Sequence, residues 1–287
     1  MRSVKKVPWH KSLLFILVHF SVVAVIWYPP TWTLVGICLL SYFVRMFAIT
    51  AGYHRYFSHK TYKTNRIAQF LLALIGTTAV QKGVLWWAAH HRHHHRYSDT
   101  EKDIHSPVQT GFWYSHIGWI LSNEHMETRF ELIKDFAKFP ELRWLNRHHL
   151  LVGVLYAVLF FALGGIPYLM WGFFISTVLL WHGTFTINSL SHVFGSRRYS
   201  TKDQSKNNPV LALITLGEGW HNNHHCYMSS CRQGFYWWEY DISYYLIKIA
   251  SYFGVTKDII EPPLAKLEKK RIQKPQVIDC LKKPHEV

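Results

Sequence analysis

The chain is short of charge, of cysteine and of acidic residues. Charged residues make up 17% of its 287 positions, against about a quarter in an average soluble domain. The four cysteines, Cys38, Cys226, Cys231 and Cys280, contain no CxxC pair. That excludes a disulfide framework and a zinc-thiolate site, and free thiols of a reducing compartment are expected. No small-residue cleavage site follows the first apolar run, where Trp27-Tyr28-Pro29-Pro30 stands instead, so no cleavable signal is expected. Asp and Glu number 17 against 32 Lys and Arg, a formal charge of +15. No nucleic-acid recognition motif accompanies that charge. The expected partners are therefore anionic lipid headgroups or a phosphate-bearing substrate, and not nucleic acid.

Aromatic residues are abundant, at 16%, with 13 Trp and 16 Tyr. Amphipathic rings settle at membrane interfaces, so a partly lipid-facing surface is expected. Four apolar runs approach the ~20 residues needed to cross hydrocarbon, over 12–28, 31–51, 150–166 and 168–190. Tyr28-Pro29-Pro30 turns the first pair into a hairpin, and Gly164-Gly165-Ile166-Pro167 turns the second. A further run, 67–89, is interrupted by Gln81-Lys82-Gly83 and is expected to lie in the interface without spanning. Arg45, late in the second run, is expected to snorkel or to mark the helix leaving the membrane.

The N-terminal residues 1–11 are basic and the two corners uncharged, which places the N-terminus, residues 52–149 and the C-terminal third in the cytoplasm. The expected fold is an all-α integral membrane protein. Four transmembrane helices in two hairpins carry a cytoplasmic helical cap, within a single domain over 12–260. A Lys-rich tail covers 261–287.

Twenty histidines are present, and their spacing matters more than their number. His54 and His59 lie in HRYFSH, His91, His94 and His95 in HHRHHH, His192 in NSLSH, and His221, His224 and His225 in GEGWHNNHH. Spacing of i, i+3, i+4 puts three rings on one helical face, able to serve one centre or two neighbouring ones. His54 and His59 are five apart, about 140° round an ideal α-helix, so a helix end or turn is expected between them, with Gly52 permitting irregular backbone. With 67–89 not spanning, all four clusters fall at helix ends on one side. Nine imidazoles exceed one ion's capacity and suit two. Imidazole alone does not choose among zinc, copper, iron and nickel. His90 and His93 are the expected supports behind the ligands. Glu218 adjoins His221 with no assigned role.

The series HRYFSH, HRHHH, NSLSH and GEGWHNNHH resembles the histidine boxes of the membrane fatty acid desaturases, in the stearoyl-CoA desaturase-like branch. The resemblance spans roughly residues 30 to 245, and RQGFYWWEYDISYYLIK looks like its bacterial members. It implies two iron ions held by His54, His59, His91, His94, His95, His192, His221, His224 and His225, with Asn188 reaching a metal through water. It implies a reaction in which oxygen and two electrons remove two hydrogens from adjacent methylenes, leaving a cis double bond, usually at the delta-nine position, and water. The substrate would be a fatty acyl thioester or an acyl lipid. The electrons would come from a separate ferredoxin or small cytochrome, because no fused cytochrome segment is expected. The bacterial inner membrane is the implied location.

Trp181, Thr184 and Phe185 could line an acyl channel. Animal acyl-CoA members carry Arg-Asp before the second box where this chain has Ala89-His90, so CoA contact is not carried over. Lys82, Arg197 and Arg198 remain as phosphate contacts. The competing readings are a hydroxylase or ketolase with the same metal core, and a non-catalytic membrane metal-binding protein.

Overall fold

The computed structural model describes residues 12–272, so the expectations for residues 1–11 and for 273–287, Cys280 included, fall outside it. Two helical runs are long and apolar enough to cross a membrane. The first is Trp32–Ser58, 27 residues containing an 18-residue stretch of mean hydropathy 1.9. It consists of α2 (Trp32–Phe47), started by the Thr31 hydroxyl accepting from the Leu34 amide, and a π-helical continuation, Ala48–Ser58. Before it stands α1 (Leu13–Phe20), which tightens into a 3-10 turn over Ser21–Ile26.

The second run, His149–Val193, contains an 18-residue stretch of mean hydropathy 2.3 and has 45 residues in all. At 1.5 Å per residue a straight rod of that length would exceed a ~30 Å hydrocarbon core twofold. It does not run straight. Gly165 takes φ +66°, a conformation open to glycine, and with Gly164 breaks the helix. The chain then folds back on itself. Gly172 lies so close to Phe160 that a Cβ there would sit 2.3 Å from the ring, and Tyr156 packs on Phe173. The first arm is α6 (His149–Tyr168, which includes the break), and the second passes through a π turn over Leu169–Ile175 into α7 (Ser176–Asn188).

The first hairpin packs along this second arm. Trp171 donates to the Tyr28 carbonyl at 3.0 Å, Phe15 stacks on Trp181, and His19 Nε2 meets His182 Nε2 at 3.1 Å. The outer faces remain bare: Phe20 is 71% exposed and Trp32 94%. Such a surface is stable where hydrocarbon or headgroups replace water.

Arg45 does not snorkel. It is fully buried, with Nε on the Ser41 carbonyl, Nη1 on Thr177 Oγ1 and the Thr78 carbonyl, and Nη2 on Ser176 Oγ. A guanidinium supplies five donors in a fixed fork, and neighbouring hydroxyls and carbonyls satisfy it where water is absent. The 67–89 run is likewise not one helix. It is α3 (Arg66–Thr77) and the start of α4 (Val84–Tyr97), separated by a corner in which Val80 and Lys82 adopt positive φ. Arg45 on Thr78, Trp181 Nε1 on the Ala79 carbonyl (2.9 Å) and Gln81 Nε2 on Thr184 Oγ1 (3.0 Å) tie this corner to α2 and α7.

The remaining elements cover the end of the bundle: α5 (Pro140–Arg147), α8 (Leu190–Val193), α9 (His221–Cys226) and α10 (Ile242–Tyr252). A two-residue ribbon, Lys63–Thr64 with Thr256–Lys257, is antiparallel.

Candidate metal centre

The π-helical segment resolves the spacing of the first histidine pair. The His59 amide donates to the His54 carbonyl at 3.2 Å, an i to i+5 bond that closes a π turn. Residues five apart then come to one face, and the helix ends at Ser58, directly before His59, as the spacing required. Their rings stand 4.8 Å apart, edge to face.

All nine histidines converge, and they divide into two groups. His54, His59, His91, His95 and His224 form one, and His94, His192, His221 and His225 the other, the nitrogens of each group lying within 4.8 Å of one another. The division crosses between helices. α4 sends His91 and His95 to the first group and His94 to the second, while α9 sends His221 and His225 to the second and His224 to the first. Positions i and i+4 point nearly together and i+3 to one side, so each helix serves both groups with one short stretch.

Within the groups the Nε2 atoms face one another. The pairs 54–224, 59–91, 91–95, 95–224 and 192–221 are separated by 2.9 to 3.1 Å. Two nitrogens bound at right angles to an ion at about 2.1 Å stand about 3 Å apart, so these edges fit a coordination sphere. His225 Nε2 is buried without a hydrogen-bond partner, as a ligand atom would be. The donor sets therefore fit a nitrogen-rich metal site, one of five imidazoles and one of four.

Carboxylates orient several rings from behind. His94 Nδ1 meets Asp103 at 2.9 Å, His192 Nδ1 meets Asp99 at 2.9 Å, His225 Nδ1 meets Asp203 at 2.8 Å and His54 Nδ1 meets Glu218 at 2.5 Å. A carboxylate there fixes the tautomer and ring angle and leaves Nε2 as the ligand atom. Glu218 is itself held by Arg55, which also grips Asp241 at 2.8 Å. Among the histidines, burial holds His59, His91, His95, His221 and His224 well below the ordinary imidazole range, and their neighbours add to the effect. The neutral rings are thereby available as ligands. At His94 burial acts in the same direction, but Asp103 outweighs it and raises the ring.

His90 and His93, expected behind the ligands, do other things. His90 Nδ1 bonds the Trp86 carbonyl and its ring lies on Trp86, and His93 Nε2 bonds the Lys102 carbonyl. The supporting groups missed in the sequence, Asp99 and Asp103, follow the second histidine cluster in HHHRYSDTEKD. That string was a legible signal; Asp203, far from any histidine box, had none. His105 stacks on His94 at 4.3 Å and joins Asp103 beside it.

Two cavities adjoin the first group. The larger, about 260 Å³, is walled by apolar residues including Phe15, Trp86, Trp119, Trp181 and Phe185, with Lys82, His91, Thr184 and Asn188 also in its lining. The smaller, about 30 Å³, shares Trp87, His91, Thr184 and Asn188 with it and reaches His54 and Glu218. Trp181, Thr184 and Phe185 thus line a cavity, as their sequence context suggested.

Residues 30–249 match the family described as fatty acid desaturase. Among characterised relatives, an sn-1 stearoyl-lipid 9-desaturase of Synechocystis sp. is 36% identical over 257 residues, 88% of this chain and 80% of the relative. An sn-2 palmitoyl-lipid 9-desaturase of Nostoc sp. is 35% identical over 239 residues, 81% of this chain and 84% of that one. An acyl-CoA C20 Delta5-desaturase of Anemone leveillei is 35% identical over 236 residues, 81% of this chain and 75% of the relative.

Proposed function

Given that the chain belongs to the fatty acid desaturase family, and so is a fatty acyl desaturase and an oxidoreductase of lipid metabolism, we propose that it places a cis double bond at the delta-nine position of a saturated acyl chain. The observation carrying this reading is an apolar cavity with His91 and Asn188 in its wall, beside nine converging imidazoles. The proposed ligands are His54, His59, His91, His95 and His224 for one iron and His94, His192, His221 and His225 for the other. Asn188 would contribute through water. When bound, the iron pair supplies oxygen activation and the withdrawal of two hydrogens from unactivated methylenes, chemistry that side chains alone do not offer.

The chain's own residues do the holding. Phe15, Trp181 and Phe185 exclude water around the acyl tail. The Gln81–Thr184 hydrogen bond ties the 78–83 corner against α7 and keeps the wall closed. Thr184 and Asn188, one helical turn apart on α7, bring the chain past His91. The substrate in this reading is an acyl chain carried on a lipid or a thioester, with oxygen and a separate ferredoxin or small cytochrome as electron donor. Four crossings of a bacterial inner membrane, with the histidines at the cytoplasmic end, are supported by the two long apolar runs, the glycine break and the basic loops.

The test is a fatty acid profile by gas chromatography with mass detection, in a desaturase-free host expressing the chain. Monounsaturated acyl chains are expected, and none from His94→Ala. Products gaining one oxygen would move the assignment to a hydroxylase, and full activity in His94→Ala would sink the ligand assignment.

A further inference from the structure

Positive charge is concentrated over the second histidine group. The segment 197–206 carries Arg197, Arg198, Lys202 and Lys206, and the segment 268–271 carries Lys269, Lys270 and Arg271. Backbone bonds lay the two side by side: the Ser200 amide donates to Lys270 O (2.9 Å) and the Ile272 amide to Arg198 O (2.8 Å). Local carboxylates are already used. Asp203 binds His225, Glu239 binds Arg198, and Glu268 binds Tyr236 and Arg271. Arg197, Lys202, Lys206, Lys269 and Lys270 have no carboxylate partner among the described residues. Lys202, Lys269 and Lys270 are exposed.

This face is also joined to the buried histidines of the second group by hydrogen bonds. The exposed Gln204 donates its amide to Asp99 Oδ2 at 2.7 Å, and the same oxygen receives His192 Nδ1 at 2.9 Å. One residue earlier, Asp203 Oδ2 receives His225 Nδ1 at 2.8 Å. A single loop thus contacts two of the four rings of the second group through one carboxylate each, with cations on its outer side.

We propose that this face is the docking surface for an acidic one-electron carrier protein, and that the loop 202–204 is where electrons enter, by way of Asp99–His192 and Asp203–His225. The proposal rests on the desaturase reading, which requires an outside reductant. Two reduced carriers are each oxidised by one electron per turnover. With two protons from solvent, one O2 and the two hydrogens taken from the acyl chain, the products are one alkene and two waters. Complementary charge steers such an encounter and sets its dependence on salt. An anionic membrane surface would also seek positive charge. The direct hydrogen-bonded route to two candidate ligands is what favours the carrier, since a lipid has no use for it.

The test uses the full chain in nanodiscs of zwitterionic lipid and reads binding rather than turnover. A reduced, acidic [2Fe–2S] ferredoxin is titrated against wild type, against Lys202→Glu/Lys269→Glu/Lys270→Glu, and against a control, Lys134→Glu/Lys138→Glu, whose cations are exposed elsewhere. Expected are a wild-type Kd that rises with ionic strength, about tenfold or greater weakening in the triple variant, and little change in the control. Replacing the same three lysines by Gln should give a smaller loss. Equal affinity in wild type and triple variant overturns the docking face and leaves the desaturase reading standing, because that reading is judged on acyl products. A triple variant that keeps ferredoxin but loses binding to phosphatidylglycerol vesicles overturns it in favour of a lipid surface.

Discussion

At the scale of single residues, the site depends as much on carboxylates as on imidazoles. Asp103 accepts from His94 Nδ1 with both oxygens, at 2.9 and 3.1 Å, and also receives the Asp99 amide at 2.8 Å. Asp103→Asn keeps the volume and removes the charge that sets the tautomer. Metal retention is expected to weaken about 10- to 100-fold, measured as iron content after dialysis against a graded chelator, and unchanged retention would reject the orienting role. Six of the nine histidines were legible in the chain because i, i+3, i+4 spacing has direct geometric meaning, whereas His54, His59 and His192 were marked by the resemblance alone. Glu218 stood next to a histidine in sequence, yet its partner is His54, 164 positions away. Only folding creates that pairing, as it does for Asp203. His90 shows the opposite case: adjacent to a ligand in sequence, it packs on Trp86 and bonds the Trp86 carbonyl.

At the scale of elements, the π-helical stretch Ala48–Ser58 decides whether the first group exists. It is buried along its whole length, so tertiary packing holds a winding that local preference does not favour. Gly76 of α3 admits the Tyr53 ring where a Cβ would come within 2.4 Å, and Tyr53 Oη meets Thr77 Oγ1 at 2.9 Å. Inserting one alanine between Ser58 and His59 turns His59 by about 100° and should withdraw it from the first group. On the proposed two-iron reading, bound iron is expected to fall from two equivalents towards one, with the second group's signal retained in Mössbauer spectra. Two full equivalents would show that the winding is dispensable. The chain announced an irregularity near Gly52 but not its form, because a helix end, a turn and a π winding can each bring residues five apart together.

At the scale of the whole molecule, the architecture predicts accessibility. In the proposed orientation, with both corners on the outer side, an impermeant thiol reagent applied to intact cells should label Pro30→Cys and Ile166→Cys, and should reach Lys102→Cys only after permeabilisation. The described native cysteines, Cys38, Cys226 and Cys231, are buried and should contribute little background. Labelling of Lys102→Cys in intact cells would invert the proposed orientation. The sequence by itself determined the four apolar runs with their two corners and the histidine clusters, since each is written in local spacing and composition, and the resemblance of those clusters to known histidine boxes carried the reaction family. Tertiary structure alone decided how those histidines divide into five and four, which carboxylates stand behind them, and that Arg45 is buried among hydroxyls. His54 meets His224 from 170 positions away and Arg45 meets Thr177 from 132, and no local pattern encodes such a meeting; Asp103, nine positions from His94, is the exception with a legible string.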